Sequence, residues 1–496
     1  MTRLASATLD RLPANARVHA YDRAQPCGVV HLGTGAFHRA HQAAYFDRLL
    51  AHGHSGWMIR GASLRSPGVA DQMNPQDGLF TVLVREGGNE RMEVVGSIAE
   101  VLVARHDPAA LVRALADPDV ALVTLTVTEK GYCLDPATGD LKLDDPAVAA
   151  DIADLSAPAT APGFLVAGLA ARWKAGGEPF TVLSCDNLPE NGQRTKAAVL
   201  AFAREIDADL ADWIAQMVAF PSSMVDRIVP ATTQEDIDNF ESATGLRDEA
   251  LVKTEPFTQW VVEDSFCNRR PPLEDVGVQL TDDVAAWEMA KLRLLNGAHS
   301  AIAYLGGLAG HRYVHQAIAA PGFDRLINRL WDEAQATLSP IEGFDPAAYR
   351  AQLGERFANG ALGHLTHQIA MDGSQKIPQR WLNTIRAYRT FGLGIPAALT
   401  MAVAGWMHWQ SGSGDNGISH KVDDPLAEAT ANVLKEAGGD REAEVHNLLG
   451  MAAIFGKDLP LDPPFVQQLV QDYIQIAETS AASTVAAFSD PASAED

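Results

Sequence analysis

Apolar and polar positions follow two rhythms in the first half of the chain and one in the second. "CGVVHLG" (27–33) is a short apolar run closed by glycine, as expected of a strand buried on both faces. "GWMIRGASL" (56–64) and "DVALVTLTVTE" (119–129) read the same way. Residues 36–51 place Phe37, Ala40, Ala44, Tyr45 and Leu49 on one helical face. "LFTVLVREGGNERMEVVGSI" (79–98) predicts a hairpin turning at "EGGNE". Residues 167–187 read as helix, glycine turn and strand, and "SSMVDRIVP" (222–230) as a later strand. From 284 onward helical periodicity takes over, in segments 284–309, 321–337, 345–358, 377–390, 395–410, 425–436, 441–455 and 463–488. "SGSGDNG" (411–417) is one of the breakers between them, and the small polar tail "SDPASAED" is expected to fray. Strands alternating with helices, then helices alone, predict an α/β chain. A doubly wound, mostly parallel sheet is expected over 1–283 and an all-α domain over 284–496, with the active site in the cleft between them.

Composition narrows the class. At 496 residues the chain exceeds one ordinary core, and 47% apolar with 21% charged residues is normal for a globular protein. No run approaches the roughly 20 apolar residues of a membrane helix, and the N-terminal stretch has no apolar signal core. Cys27, Cys133, Cys185 and Cys267 are dispersed, without a C-x-x-C pair. That disfavours a disulfide framework and a structural zinc site, and suits a reducing cytoplasm. The net charge of −24, without clustered Lys and Arg, argues against a nucleic-acid surface. An anionic substrate would need a local cationic pocket working against that field.

Two stretches carry candidate chemistry. In "HLGTGAFHRAH" (31–41), Gly33 and Gly35 have the spacing of a dinucleotide turn, but His38 stands where a third glycine is usual. One glycine would make the tight turn and the other let backbone approach a pyrophosphate at the helix N-terminus, near Ala36 and Phe37. His38, Arg39 and His41 would add cationic or hydrogen-bonding groups beside the phosphates. The plainer alternative is an ordinary strand-to-helix turn. After the second strand, "RGASLRSPGVAD" lacks an early acid for the ribose of NAD; Asp71 comes late, and Arg65 and Ser66 suit a 2′-phosphate. NAD and NADP both stay open on this ground.

"WEMAKLRLLNGAHSAIAYLGG" (287–307) reads as a buried helix that nevertheless carries Glu288, Lys291, Asn296 and His299. At 3.6 residues per turn these fall within roughly 140° of arc. A polar face on a buried helix is costly unless it lines a site. A desolvated lysine can serve as a base, asparagine amides can stabilise an alkoxide, histidine can orient a hydroxyl, and the glutamate can relay protons. Individually, each has a structural explanation, such as a snorkelling lysine or a satisfied core histidine. Other candidates are Asn187 in "LSCDNLPENG" (183–192), "TEKGYC" (128–133), and Lys376 with Arg380 in "MDGSQKIPQR" (371–380). Each is also readable as turn or surface charge.

Together, "GTGAFHRAH", "SCDN", "MVDRI", "EPFTQWVVED" and "KLRLLNGAHS" resemble, in the same order, the motifs of the long-chain polyol dehydrogenases, the mannitol 2-dehydrogenase and fructuronate reductase family. The resemblance covers nearly the whole chain. It implies a Rossmann-type domain, a helical domain, and metal-free hydride transfer between a nicotinamide cofactor, mostly NAD in this family, and a secondary alcohol. It implies Lys291 as general acid/base, Asn187 and Asn296 as the alkoxide-stabilising pair, His299 as substrate-orienting partner and Glu288 as proton relay. It further implies a substrate-side role for Asp226 and a further acid near the site in Glu129, alongside the cofactor loop Gly33 to Arg39.

Within the family, "LTVTEKGYC" and "MDGSQKIPQR" look most similar to fructuronate reductase, which reduces the ketone of a sugar acid; Lys376 or Arg380 would meet its carboxylate. Fructose or mannitol is the alternative substrate. The competing classes are a non-catalytic dinucleotide-binding protein and a zinc-dependent alcohol dehydrogenase, the latter disfavoured by the dispersed cysteines. No nucleic-acid or membrane partner is expected, and a monomer and a small homo-oligomer remain open.

Overall fold

In the computed structural model, which describes residues 2–18, 20–135 and 138–488, the chain divides into two units, Met1–Ala285 and Ala286–Asp496. The tail "SDPASAED" lies outside the described residues.

The first unit is built on five parallel strands: β1 (Val29–Leu32), β2 (Ile59–Ser63), β3 (Ile98–Val103), β4 (Leu122–Leu125) and β5 (Thr181–Ser184). Their order is β3-β2-β1-β4-β5, so the winding reverses between β1 and β4. Alternate strand residues enter two separate cores. Val29, Leu122 and Leu183 pack with Ala43, Phe46 and Trp260, while Val30, Val123 and Val182 pack with Leu111, Phe164 and Phe202. Burial on both faces explains why β1, β4 and β5 read as apolar runs; β2, with Arg60, and β3, with the exposed Glu100, are covered less completely, and β3 was not expected from the sequence. This is the Rossmann-type sheet expected from the sequence.

The other strands depart from a single sheet. The hairpin Phe80–Glu86 and Asn89–Val95 forms its own sheet with Arg17–Val18 and Val252–Thr254. The later strand, β6 (Ser223–Asp226), runs antiparallel to β7 (Gln259–Glu263), which pairs with β8 (Gln279–Thr281). The expected helix 36–51 is two helices, α1 (Ala36–Ala40) and α2 (Gln42–Ala51), because His41 leaves helical geometry at φ −117°, ψ −89°.

The second unit is helical throughout its regular elements, and several expected helices are interrupted. Segment 284–309 consists of α3 (Val284–Ala290), a π segment (Lys291–Asn296) and α4 (Gly297–Leu308). Segment 377–390 starts with a second π segment (Pro378–Leu382) before α5 (Asn383–Thr390). Segment 441–455 breaks after Leu449, and 463–488 breaks where the Ser480 hydroxyl caps Ala481–Ala487. Among the described residues, no helix is long and apolar enough to cross a membrane.

Candidate active site

The glycine turn follows β1 at the reversal of strand order, where open α/β sheets bind ligands beyond their carboxyl ends. Gly33 has φ +97°, and a Cβ there would stand 2.2 Å from the Thr126 carbonyl oxygen past β4. Gly33 is therefore required by the close passage of two strand ends. Gly35 opens α1, and a Cβ there would meet only the Gly33 oxygen, at 3.7 Å. That open space lies over a helix start whose first amides have no intrahelical acceptor, and it fits the backbone cradle a pyrophosphate needs. Gly33, Gly35, Ala36 and Phe37 are partly exposed.

His38, Arg39 and His41 do not stand beside this cradle as exposed cationic groups; all three are buried. His38 stacks on His31 of β1 with ring centroids 3.3 Å apart and planes 9° apart. The His31 ring is held between Thr124 Oγ1 (2.8 Å) and Thr126 Oγ1 (2.9 Å). Two flat imidazoles thus replace the close helix–strand contact that a third glycine would allow. Burial keeps both rings neutral, His31 pushed down to about 3 and His38 well below the ordinary value. Arg39 donates inward to the Ala250 carbonyl (2.8 Å), and a His41 ring nitrogen pairs with the Gln259 carbonyl (2.8 Å).

Glu129 and Asn187 are exposed just past the adjacent ends of β4 and β5, the first opening a 3-10 turn (Glu129–Tyr132). The sheet thus brings Glu129, Asn187 and the glycine turn to one edge. Asp226 ends β6 in the mixed β6-β7-β8 sheet and is buried. That sheet is tied to β5 by Ser223, whose hydroxyl donates to the Ser184 carbonyl (2.6 Å). Past β2, Arg65, Ser66 and Asp71 are all exposed.

In the helical unit, Lys291 is buried and begins the π segment; Glu288 and Asn296 are half-buried. The π segment changes the angular spacing, so the four polar residues do not follow a regular 3.6-residue face. Such segments recur at functional sites because they reorient side chains within a helix. The second π segment lies against the first. Trp381 Nε1 donates to the Gly297 carbonyl (3.0 Å), and Arg380 donates to Ser300 Oγ (2.6 Å) and to the Asn296 carbonyl (3.5 Å). Asn296, His299 and Arg380 are therefore brought together. Lys376, one turn before Arg380, donates to the Met371 carbonyl (2.6 Å) and lies 3.8 Å from Asp372.

His299 Nε2 is buried without a hydrogen-bond partner; its ring stacks on Phe357 and meets His364 edge-on at 4.6 Å. Burial, then the fields of His364, Arg380, Arg356 and Lys376, hold His299 neutral. Burial lowers Lys376, with Arg380 adding to the effect, and Arg380 falls to about 10. Arg356, Lys376 and Arg380 are thus three cations around a neutral His299, with Asp372 and Asp424 offsetting part of the charge at Lys376.

Sequence reading missed His31, His364, Phe357 and the π segments. It also passed over Asp186 and Tyr132, whose only signal was their neighbours in "SCDN" and "TEKGYC". Among the described residues all four cysteines are unbridged, and no group of three or more His, Cys, Asp or Glu is placed to hold a metal ion.

Comparison with known proteins accounts for nearly the whole chain. Residues 27–275 match the mannitol dehydrogenase Rossmann domain and residues 283–477 the mannitol dehydrogenase C-terminal domain. The chain is 43% identical over 467 residues to D-mannonate oxidoreductase of Escherichia coli (strain K12), covering 93% of this chain and 95% of the relative. Its structure is similar to Pseudomonas fluorescens mannitol 2-dehydrogenase in a ternary complex with NAD and D-mannitol, with TM-score 0.81, 37% identity, and 98% and 99% of the two chains covered. It is also similar to a substrate-free D-sorbitol dehydrogenase, with TM-score 0.91, 32% identity, and 98% and 100% covered. The chain belongs to the mannitol dehydrogenase family of oxidoreductases.

Proposed function

We propose that this enzyme interconverts D-fructuronate and D-mannonate with NAD(H). In this reading residues 1–283 bind the dinucleotide and residues 284–496 supply the proton chemistry. The observation that carries the substrate choice is Arg380 against Asn296, with Lys376 one turn away and both cations acting on His299, in a strongly acidic chain. A sugar acid offers it a carboxylate; a neutral ketose does not. Similarity to a D-mannonate oxidoreductase supports the same choice.

The bound nicotinamide supplies the hydride acceptor in oxidation and the donor in reduction. Lys291 Nζ takes the hydroxyl proton in oxidation and returns it in reduction. A base must be the neutral amine, and Lys291 is buried away from bulk water. The amides of Asn187 and Asn296 donate to the developing alkoxide. His299, neutral and with an unpartnered Nε2, accepts from a substrate hydroxyl and fixes its direction. Glu288, one turn before Lys291, passes the proton to solvent, and Asp226 and Glu129 contact the substrate side and the cofactor side.

Mannitol 2-dehydrogenase activity is the second reading, favoured by the match to the complex with NAD and D-mannitol. Initial rates with fructuronate, tagaturonate, fructose and mannitol, each with NAD(H) and NADP(H) and after chelator treatment, decide between them. Faster turnover of fructose than of fructuronate overturns the sugar-acid assignment, and loss of activity on chelation overturns the metal-free mechanism.

A further inference from the structure

Thr128, the residue before Glu129, has φ 66° and ψ 166°. That backbone region is almost confined to glycine, and a residue with a Cβ stays there only when its surroundings hold it. The holding group is identifiable. Asp186 accepts the backbone N–H of Val127 on Oδ2 (3.0 Å) and that of Thr128 on Oδ1 (2.9 Å). Oδ2 also accepts the Tyr132 hydroxyl (2.7 Å), which lies 2.5 Å from Ser184 Oγ at the end of β5. Asp186 is fastened in turn: its carbonyl accepts from Asn191 Nδ2 (2.9 Å), and Asn191 also bonds both the carbonyl and the amide of Ser223.

The burial pattern separates support from tips. Asp186, Tyr132, Ser184 and Asn191 are buried, whereas Thr128, Glu129 and Asn187 are exposed. Burial raises the Asp186 carboxyl above its usual range, while its bonds to Tyr132, Thr128 and Val127 pull it back. A desolvated carboxylate gathering donors from the neighbouring strand's loop is costly, and an ordinary turn does not need it.

We propose that Asp186 is a positioning residue: by clamping the Val127 and Thr128 amides it holds the strained backbone that aims Glu129, and it locks that loop to the segment past β5 that carries Asn187. The inference rests on the proposed roles of Glu129 and Asn187. Small displacements of positioned groups cost heavily in turnover, and relief of the backbone strain should return part of that cost.

The test is a mutant cycle assayed with D-fructuronate and NADH. Asp186→Asn, which places an amide N–H against a backbone N–H, is expected to lower kcat about a hundred-fold while the Kd of NADH changes little. In the Thr128→Gly background, where the backbone adopts this conformation freely, the same substitution is expected to cost only about ten-fold. Amide exchange at Val127 and Thr128 should quicken in Asp186→Asn. Equal losses in both backgrounds, or an unchanged kcat, overturn the clamp and leave the proposed function standing. A wild-type enzyme inactive on every sugar and sugar acid refutes that function instead. If Asp186→Asn does not fold, Tyr132→Phe carries the same cycle by removing one donor from the carboxylate, with a smaller loss and the same relief by glycine.

Discussion

The glycine turn after β1 and the π-interrupted helix of the second unit both contain a histidine with a buried, unpartnered ring nitrogen, yet their surroundings differ. Around His38 the side chains turn inward: its ring lies flat on His31, and Arg39 reaches the Ala250 carbonyl. What that turn offers outward is backbone and the space above Gly35. Around His299 the neighbours are His364, Arg356, Arg380 and Lys376, and the buried Lys291 begins the π segment on the same run. There, in the proposed function, the side chains supply the chemistry. A buried histidine therefore carries no functional meaning by itself; the charges around it and the direction its neighbours face decide.

The largest expected effect lies in the second region. Lys291→Ala should reduce kcat by several orders of magnitude while dinucleotide affinity, measured by fluorescence titration, stays near that of the parent. Near-normal turnover would remove the distinction between the regions.

The next effect is on stability in the first region. The folded pKa of His38 lies below the unfolded value, so its stabilising contribution is complete above about pH 6.5 and declines as pH falls from there toward the folded value. His38→Phe keeps a flat ring and takes up no proton. The stability lost between about pH 7.5 and about pH 5 should shrink by about 2 kcal/mol in that variant, measured by denaturant unfolding. An equal acid loss in parent and variant would mean His38 is not held neutral.

The smallest effect separates cradle from fold. Gly35→Ala meets no clash, so stability should change by less than about 0.5 kcal/mol. Dinucleotide Kd should rise about ten-fold, because the methyl fills the space over the turn. Unaltered affinity would place the pyrophosphate elsewhere.

How much of this was legible beforehand depended on the physical origin of each feature. The β1, β4 and β5 runs were readable because burial on two faces demands continuous apolar residues, and helix 287–307 stood out because its polar residues conflict with its apolar surroundings. The break at His41 and both π segments were not readable. They arise from packing between segments distant in sequence, such as Trp381 on Gly297, and leave no period of their own. The inward turn of Arg39 was equally hidden, since its acceptor Ala250 lies 211 positions away. Asp186 escaped notice because an acid beside an asparagine at a strand end looks like any polar turn until the strained Thr128 amide is seen against it.

The sugar-acid assignment is tested most directly by the ratio of kcat/KM for D-fructuronate to that for D-fructose, measured by NADH oxidation on the parent enzyme and on Lys376→Met. The parent should favour the acid by at least about a hundred-fold, and Lys376→Met should cut that ratio by about ten-fold while leaving fructose nearly unchanged, as expected for loss of one charge-assisted contact to a carboxylate. A parent that favours fructose, or a ratio indifferent to Lys376, would contradict it.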